Sequence, residues 1–349
     1  MIFLQKLYYK MRKLYPLKIS KINQLTTDAV ELIFDVPENM KSVFKFTAGQ
    51  YITICTSIEN NDVRRAYSLC GDPNSEEIAV GVKRVEGGIM SSFLTQDVKV
   101  GDVLNVMPPQ GSFCLENEKN IIGICAGSGI TPILSMIKST SSKFTLVYGN
   151  KTQSSTMFQQ ELNNMNVKSH YTYSREKVEG CFNSRIDKNL LSKLSENELF
   201  LNADGYYICG PGEMIDVVEE FLLERGVDKN KIKFERFTAS TKKNDSEFVE
   251  TEQEDLISNI TIIIDGDEFE YELPSKGESI LDSAMNEGAD VPFSCKGGVC
   301  CTCKAKVMEG KVVMTENYAL SEEEVAEGFI LTCKSHPASG NIVVDFDEM

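Results

Sequence analysis

Cys295, Cys300, Cys303 and Cys333 leave the C-terminal third of this chain few folds to choose from. Three of them stand in the run Cys295-Lys296-Gly297-Gly298-Val299-Cys300-Cys301-Thr302-Cys303, and the fourth follows Leu331-Thr332. The spacing C-x4-C-x2-C with a distant fourth Cys is the plant-type ligand pattern of a [2Fe–2S] cluster. Each iron completes its tetrahedral sulfur shell with two thiolates, so four are required and three must converge on one loop. Gly297 and Gly298 allow the backbone to curl and to aim N–H groups at the sulfurs. A disulfide pair or a zinc site are the competing readings. Zinc usually takes two C-x2-C arms or His partners, and the only histidines are His170 and His336. The spacing therefore predicts a cluster and a chain that moves single electrons.

The rest of the composition sets limits. A chain of 349 residues is long enough for two or three domains. Seven further cysteines are scattered through apolar segments, which suggests a reducing compartment and no disulfide scaffold. No apolar run reaches membrane-spanning length. The apolar stretch at Met1–Lys6 is too short for a signal peptide, so residues 1–16 read as an extension before the first strand, with Met11 an alternative start. A cytoplasmic location follows. The net charge of −16 argues against nucleic acid. Residues 256–349 hold 18 acidic and 6 basic side chains. That bias suits a partner with a basic patch, or serves only to keep the domain in solution.

Periodicity divides the chain. Residues 17–118 alternate apolar and polar in short runs, among them Lys18–Ile22, Ala29–Val36, Gln50–Thr56, Arg65–Cys70, Ile78–Val85 and Val103–Met107, with one short helix near Met90–Thr95. Such strands suggest a closed antiparallel barrel. Residues 119–237 alternate strand and helix, the pattern of a parallel sheet with crossover helices; helices are expected over Thr156–Met165 and Gly212–Arg225. Residues 238–255 are polar, charged and aperiodic, as a linker is. Beyond them a hairpin turns at Asp265-Gly266, a helix covers Ser279–Asn286, and the cysteine loop follows.

Two further motifs bear on chemistry. Arg65-Ala66-Tyr67-Ser68 places Arg65 and Tyr67 on one strand face. A Tyr ring can pack on an isoalloxazine, an Arg can pair with phosphate, and a Ser hydroxyl can bond flavin N5 or a ribityl group. Four residues alone also fit a chance strand, but Gly87-Gly88-Ile89-Met90-Ser91 adds backbone donors and a helix N-terminus for a pyrophosphate. The second motif, Ala126-Gly127-Ser128-Gly129-Ile130-Thr131-Pro132, joins a strand to a helix, as a dinucleotide phosphate loop does, although its last position is Pro where the usual fingerprint has Gly. Cys209-Gly210-Pro211-Gly212 repeats the strand-to-helix junction. Both loops are expected at the carboxyl ends of a parallel sheet, where ligands bind.

In this order, barrel with R-x-Y-S, sheet with G-x-G-x-x-P and C-G-P, then plant-type cysteine loop, the chain resembles the ferredoxin–NADP reductase superfamily. It is most similar to oxygenase reductases with a C-terminal ferredoxin, of the phenylacetate-degradation type. The matching stretches are Arg64–Ser68, Ala126–Pro132, Tyr148-Gly149-Asn150, Ser184-Arg185-Ile186-Asp187, Glu235-Arg236-Phe237, the cysteine loop through Lys304, and Val343–Asp347. The resemblance implies three folds: an antiparallel β-barrel flavin domain, an α/β parallel-sheet nicotinamide domain, and an α+β (β-grasp) [2Fe–2S] ferredoxin domain at 256–349. It implies an FAD-dependent NAD(P)H oxidoreductase using NADPH, with a non-haem diiron oxygenase as partner, phenylacetyl-CoA epoxidase being the nearest case. Hydride passes from NADPH to flavin N5, and single electrons pass to the cluster. Arg65, Tyr67 and Ser68 then hold the flavin, Gly88 and Ser91 its pyrophosphate, and Phe237 covers the flavin face. Gly127, Gly129 and Gly210 line the coenzyme crevice, while Thr131 and Cys209 flank the nicotinamide. Ser174, Arg175 and Arg185 meet an adenosine 2′-phosphate. Cys301 stands where a small residue is usual and reads as a packed thiol. A reductase for another oxygenase, hydroxylase or desaturase, using FMN or NADH, remains open, as does a pure electron carrier.

Overall fold

The computed structural model describes residues 13–75, 77–237 and 256–348; of the extension expected at residues 1–16, residues 1–12 lie outside them, as does the linker at 238–255, while the first strand already begins at Tyr15. No helix among the described residues is long and apolar enough to cross a membrane. Residues 14–237 form one compact unit and the C-terminal residues a second.

The first unit begins with six strands: β1 (Tyr15–Thr26), β2 (Ala29–Asp35), β3 (Tyr51–Ile58), β4 (Asn61–Ser68), β5 (Ile78–Lys83) and β6 (Val103–Gln110), with helix α1 (Ile89–Gln96) between the last two. Their order is β4-β3-β6-β1-β2-β5, and the pairings are antiparallel. The sheet closes on itself where Leu69, just past β4, bridges to Val80 of β5. Closure removes both exposed edges. Leu17, Leu32, Ile52, Ile54, Val80 and Val106 fill the interior.

The chain then alternates β7 (Asn120–Ala126), α2 (Ile130–Ser139), β8 (Lys143–Asn150), α3 (Gln159–Asn163), β9 (Lys168–Tyr173), α4 (Lys188–Ser195), α5 (Glu198–Leu201), β10 (Gly205–Gly210), α6 (Gly212–Glu224) and β11 (Ile232–Arg236). The strands are parallel in the order β11-β10-β7-β8-β9. Because β8 and β9 lie on one side of β7 and β10 on the other, the order reverses between β7 and β10. A crevice opens at such a switch point, outside the carboxyl ends of the strands. One buried cluster spans barrel and sheet, joining Ala48, Cys70 and Phe113 to Cys125, Ile133 and Met157, so the two are locked together.

Helix α3 is shorter than the Thr156–Met165 expected from periodicity. Phe158 takes a left-handed φ of 58° ahead of it. Met157 and Phe158 are instead buried against Gly81 of the barrel, so interdomain packing overrides local helix preference there.

The second unit contains β12 (Ile257–Ile264), β13 (Asp267–Pro274), α7 (Ile280–Asn286), β14 (Lys304–Glu309), β15 (Val312–Met314), α8 (Glu322–Ala326), β16 (Phe329–Leu331), β17 (Ser335–Pro337) and β18 (Asn341–Asp345). The mixed sheet runs β13-β12-β18-β14-β16, with β12 and β18 parallel. The hairpin turns through Asp265 and Gly266, both at positive φ, as a two-residue Asp-Gly loop requires. Ser279 caps α7 by accepting from the Asp282 N–H.

Candidate functional site

The reductase cleft is assembled from strand ends. Tyr67 and Arg65 stand opposite Ile52 and Ile54 in the β3–β4 ladder. Tyr67 is half-buried against the barrel core, and Arg65 is exposed, its guanidinium donating to the Arg64 carbonyl at 2.7 Å. Two residues apart on one strand, they share a face. Ser68 is buried and turns to the sheet, where its hydroxyl donates to Glu235 Oε2 at 2.9 Å.

Gly87, at φ 72°, leads into Gly88, the N-cap of α1. No side chain caps this helix, so its first-turn N–H groups can donate to an anion, which fits a flavin pyrophosphate. The Ser91 hydroxyl is engaged inside the loop: it accepts from the Val85 N–H at 3.1 Å and donates to the Gly88 carbonyl at 3.2 Å.

At the switch point the loop after β7 meets the end of β10. Gly129 lies so close to Cys209 that a Cβ there would sit 2.1 Å from the Cys209 carbonyl oxygen. Thr131 is buried and donates to the Ser128 carbonyl at 3.0 Å. Gly127 has a positive φ and open space around it. Cys209 is fully buried, and burial pushes its thiol well up, so it stays neutral. Gly210 packs against Met214 of α6.

At the far edge of the cleft, Ser174 and Arg175 follow β9, their N–H groups bonded to the carbonyls of Asn150 and Lys151. The chain returns beside β9 through Thr172, whose hydroxyl donates to the Ser184 carbonyl at 2.6 Å. Arg185 thus reaches the same end of the sheet. Its head is 82 % exposed and 3.9 Å from Glu213. Phe237, just past β11, is 40 % exposed.

Two residues here lie in stretches that carry the family resemblance but were given no role from sequence. Asn150, at the carboxyl end of β8, is buried, and apart from an approach to the Tyr148 hydroxyl neither atom of its amide has a partner. The Tyr148 proton goes to the Gly127 carbonyl at 2.9 Å. An unsatisfied amide at the ligand edge fits a bound dinucleotide. Glu235 is the other. Burial raises its carboxyl from 4.5 to about 7, the Ser68 hydrogen bond opposing the rise. The next residue, Arg236, turns the other way, donating to the Gly212 carbonyl and pairing with Asp216 on α6. No local pattern marks Glu235 as a buried acid, because its partner lies 167 residues earlier.

A raised carboxyl makes a prediction. Glu235 costs nothing below its unfolded value of about 4.5, and stability is lost as pH rises through 7, by a total on the order of 3 kcal/mol. Glu235→Gln should therefore flatten the fall in unfolding free energy between pH 4.5 and 7.5. An unchanged slope, followed by denaturant titration, would rule out the buried acid as its source.

In the second unit the four cysteines arrive as two pairs. The Cys300 thiol donates to Cys295 Sγ across 3.1 Å, and Cys303 and Cys333 share a side-chain hydrogen bond. The Thr332 N–H and hydroxyl hold the Cys303 carbonyl, at 3.2 and 2.9 Å, and so lock the distant strand end against the loop. Lys296, at φ 50°, and Gly298, at 71°, bend the loop inward. The Gly297 N–H points at Cys295 Sγ from 3.3 Å. Cys295 is pulled down to about 5, first by the Cys300 thiol, with further help from the N–H groups of Gly297, Val299 and Cys300. Among the described residues no point gathers three or more His, Cys, Asp or Glu side chains, as a single metal ion would need. Two cysteine pairs suit two irons, and the donor set fits a [2Fe–2S] cluster. All eleven cysteines are free of disulfides.

The comparisons agree with this division. Residues 16–115 match the oxidoreductase FAD-binding domain family, 124–220 the oxidoreductase NAD-binding domain family, and 262–338 the 2Fe-2S iron-sulfur cluster binding domain family. The chain is 38% identical to one of the subunits of the 1,2-phenylacetyl-CoA epoxidase of Escherichia coli K12, over 97% of this chain and 99% of that protein. It is 30% identical to the ferredoxin reductase component of 3-ketosteroid-9-alpha-monooxygenase from Rhodococcus rhodochrous, over 95% and 96%. Among solved structures it resembles phthalate dioxygenase reductase, described as modular for electron transfer from pyridine nucleotides to [2Fe-2S], with a TM-score of 0.60, 25% identity, and 95% and 98% coverage. The chain belongs to the oxygenase reductases of the ferredoxin–NADP reductase superfamily, and is an electron-transfer oxidoreductase with FAD-binding, NAD(P)-binding and C-terminal [2Fe–2S] domains.

Proposed function

We propose that this protein draws electrons from NADPH and delivers them to a non-haem diiron oxygenase acting on phenylacetyl-CoA. The end-to-end likeness to the Escherichia coli epoxidase protein carries the reading. Bound FAD supplies the exchange between electron pairs and single electrons, and the cluster holds one electron at a time. Cys295 with Cys300, and Cys303 with Cys333, ligate the two irons. Arg65, Tyr67 and Ser68 orient the isoalloxazine, Gly88 and Ser91 shape the pyrophosphate loop, and Phe237 shields the flavin face. Gly127, Gly129, Thr131, Cys209 and Gly210 hold the nicotinamide end of the coenzyme. Ser174, Arg175 and Arg185 select the 2′-phosphate, since a dianion needs hydroxyl and cationic donors. We place the domain limits at 17–118, 119–237 and 256–349, and the protein in the cytoplasm, where eleven cysteines without a disulfide stay reduced. The 3-ketosteroid relative favours a second reading, a reductase serving a different oxygenase.

The test is electron delivery. With a purified phenylacetyl-CoA epoxidase oxygenase, coupled turnover should fall as salt rises toward molar, because the acidic C-terminal domain docks through charge. Turnover with ferricyanide, which needs no protein docking, should fall much less. A parallel decline would reduce the acidic surface to a solubility feature. Failure to reduce this oxygenase at any salt would overturn the substrate assignment and favour the second reading.

A further inference from the structure

Three of the four cysteines assigned to the cluster are followed directly by lysine: Lys296 after Cys295, Lys304 after Cys303 and Lys334 after Cys333. In a domain with only six basic side chains, half of them thus sit at the ligand loops. Each is matched by one carboxylate: Lys296 by Asp282 at 2.7 Å, Lys304 by Glu324 at 2.7 Å and Lys334 by Glu316 at 2.8 Å. They are not equivalent. Lys304 lies over the Phe329 ring at 4.3 Å and Lys296 over Phe293 at 4.7 Å, and Lys296 is the most exposed of the three. Lys304 is 17 % exposed and Lys334 25 %, and it is Lys334 that both adjoins Cys333 and lies against the loop carrying Cys295 and Cys300.

The backbone holds Lys334 and Glu316 in place. The Thr315 N–H donates to the Lys334 carbonyl at 2.7 Å, and the Tyr318 N–H to the Gly298 carbonyl at 3.0 Å. A Cβ on Gly298 would come within 3.0 Å of the Glu316 carbonyl oxygen and 3.3 Å of Lys334 Cγ. The lysine stem and the Glu316 backbone therefore both rest on the cysteine loop.

We propose that Lys334, opposed by Glu316, sets the electron affinity of the cluster held by these cysteines. The proposal rests on the ligand assignment above. Taking up one electron adds one negative charge to a centre already ringed by thiolates, with no bond made or broken. A neighbouring ammonium favours the reduced form and a carboxylate disfavours it, and partial burial limits screening by solvent. The lysine thus helps the cluster take an electron, while the carboxylate keeps it from being held too tightly to pass on. Lys296 acts in the same sense but more weakly, being more exposed and paired with Asp282.

The experiment is a redox titration of the full holoprotein, following the EPR signal of the reduced cluster, with the flavin absorbance as internal reference. Glu316→Gln should shift the cluster midpoint upward and Lys334→Gln downward. Lys334→Arg should keep it near the wild-type value, and the flavin midpoint should stay put. If Lys334→Gln cannot hold a cluster, Glu316→Gln still decides: an intact signal with an unmoved or lowered midpoint overturns the proposal. A wild-type protein without a [2Fe–2S] signal overturns the ligand assignment, and the tuning with it.

Discussion

Cys300→Ser should abolish the [2Fe–2S] absorbance and EPR signal while leaving the flavin bound and reducible by NADPH. Cys300 is buried and shares its site with Cys295 at 3.1 Å. Without it, one iron would keep a single thiolate, and a serine hydroxyl does not ionise near neutral pH as a thiol can. Electron delivery to any oxygenase should stop. Ferricyanide turnover should persist, because the barrel and sheet form a unit with their own cores. Cys301→Ser is the matched control. The Cys301 thiol donates to the Ala319 carbonyl at 3.5 Å and stands outside the C-x4-C-x2-C spacing, so this variant should keep its cluster. A full cluster signal in Cys300→Ser, or its loss in Cys301→Ser alone, would reverse the assignment.

Gly129→Ala should cripple coenzyme binding without touching the cluster. The added Cβ would meet the Cys209 carbonyl oxygen at 2.1 Å, its carbon at 2.5 Å and the Gly210 nitrogen at 3.0 Å. All three are backbone atoms, so no side chain can swing aside, and the loops after β7 and β10 must part. Overpacking of this kind costs about 1–3 kcal/mol, and it falls on the two loops that frame the crevice. The KM for NADPH should rise tenfold or more, with a lower melting temperature for the first unit and an unchanged EPR signal. Gly127→Ala makes a useful contrast. Gly127 has nothing within 4 Å of a Cβ, and its φ of 57° costs an alanine only about 1–2 kcal/mol. Equal damage from the two variants would show that backbone conformation matters here, and not the close approach.

Much of this was legible in the chain. Cysteine spacing is a local covalent fact, and C-x4-C-x2-C sets Cys300 apart from Cys301 without reference to the fold. Asp265-Gly266 predicts its hairpin because only residues tolerant of positive φ turn in two steps. Strand–helix alternation predicts the parallel sheet, whose crossovers leave few alternatives. The helix expected at Thr156–Met165 shows where such reading ends. Its composition favours helix, yet Met157 and Phe158 are needed beneath Gly81 of the barrel, and the helix starts only at Gln159.

What the sequence determined by itself is whatever depends on near neighbours: the cysteine pattern, the glycine turns, the strand periods and so the three domain types. Tertiary structure decided what depends on residues meeting across the fold. Only there does Ser68 find Glu235, burial push that acid toward neutrality, Gly129 press on Cys209, and Lys334, paired with Glu316, rest against the cysteine loop. Burial and charge act through space, and separation along the chain carries no record of them.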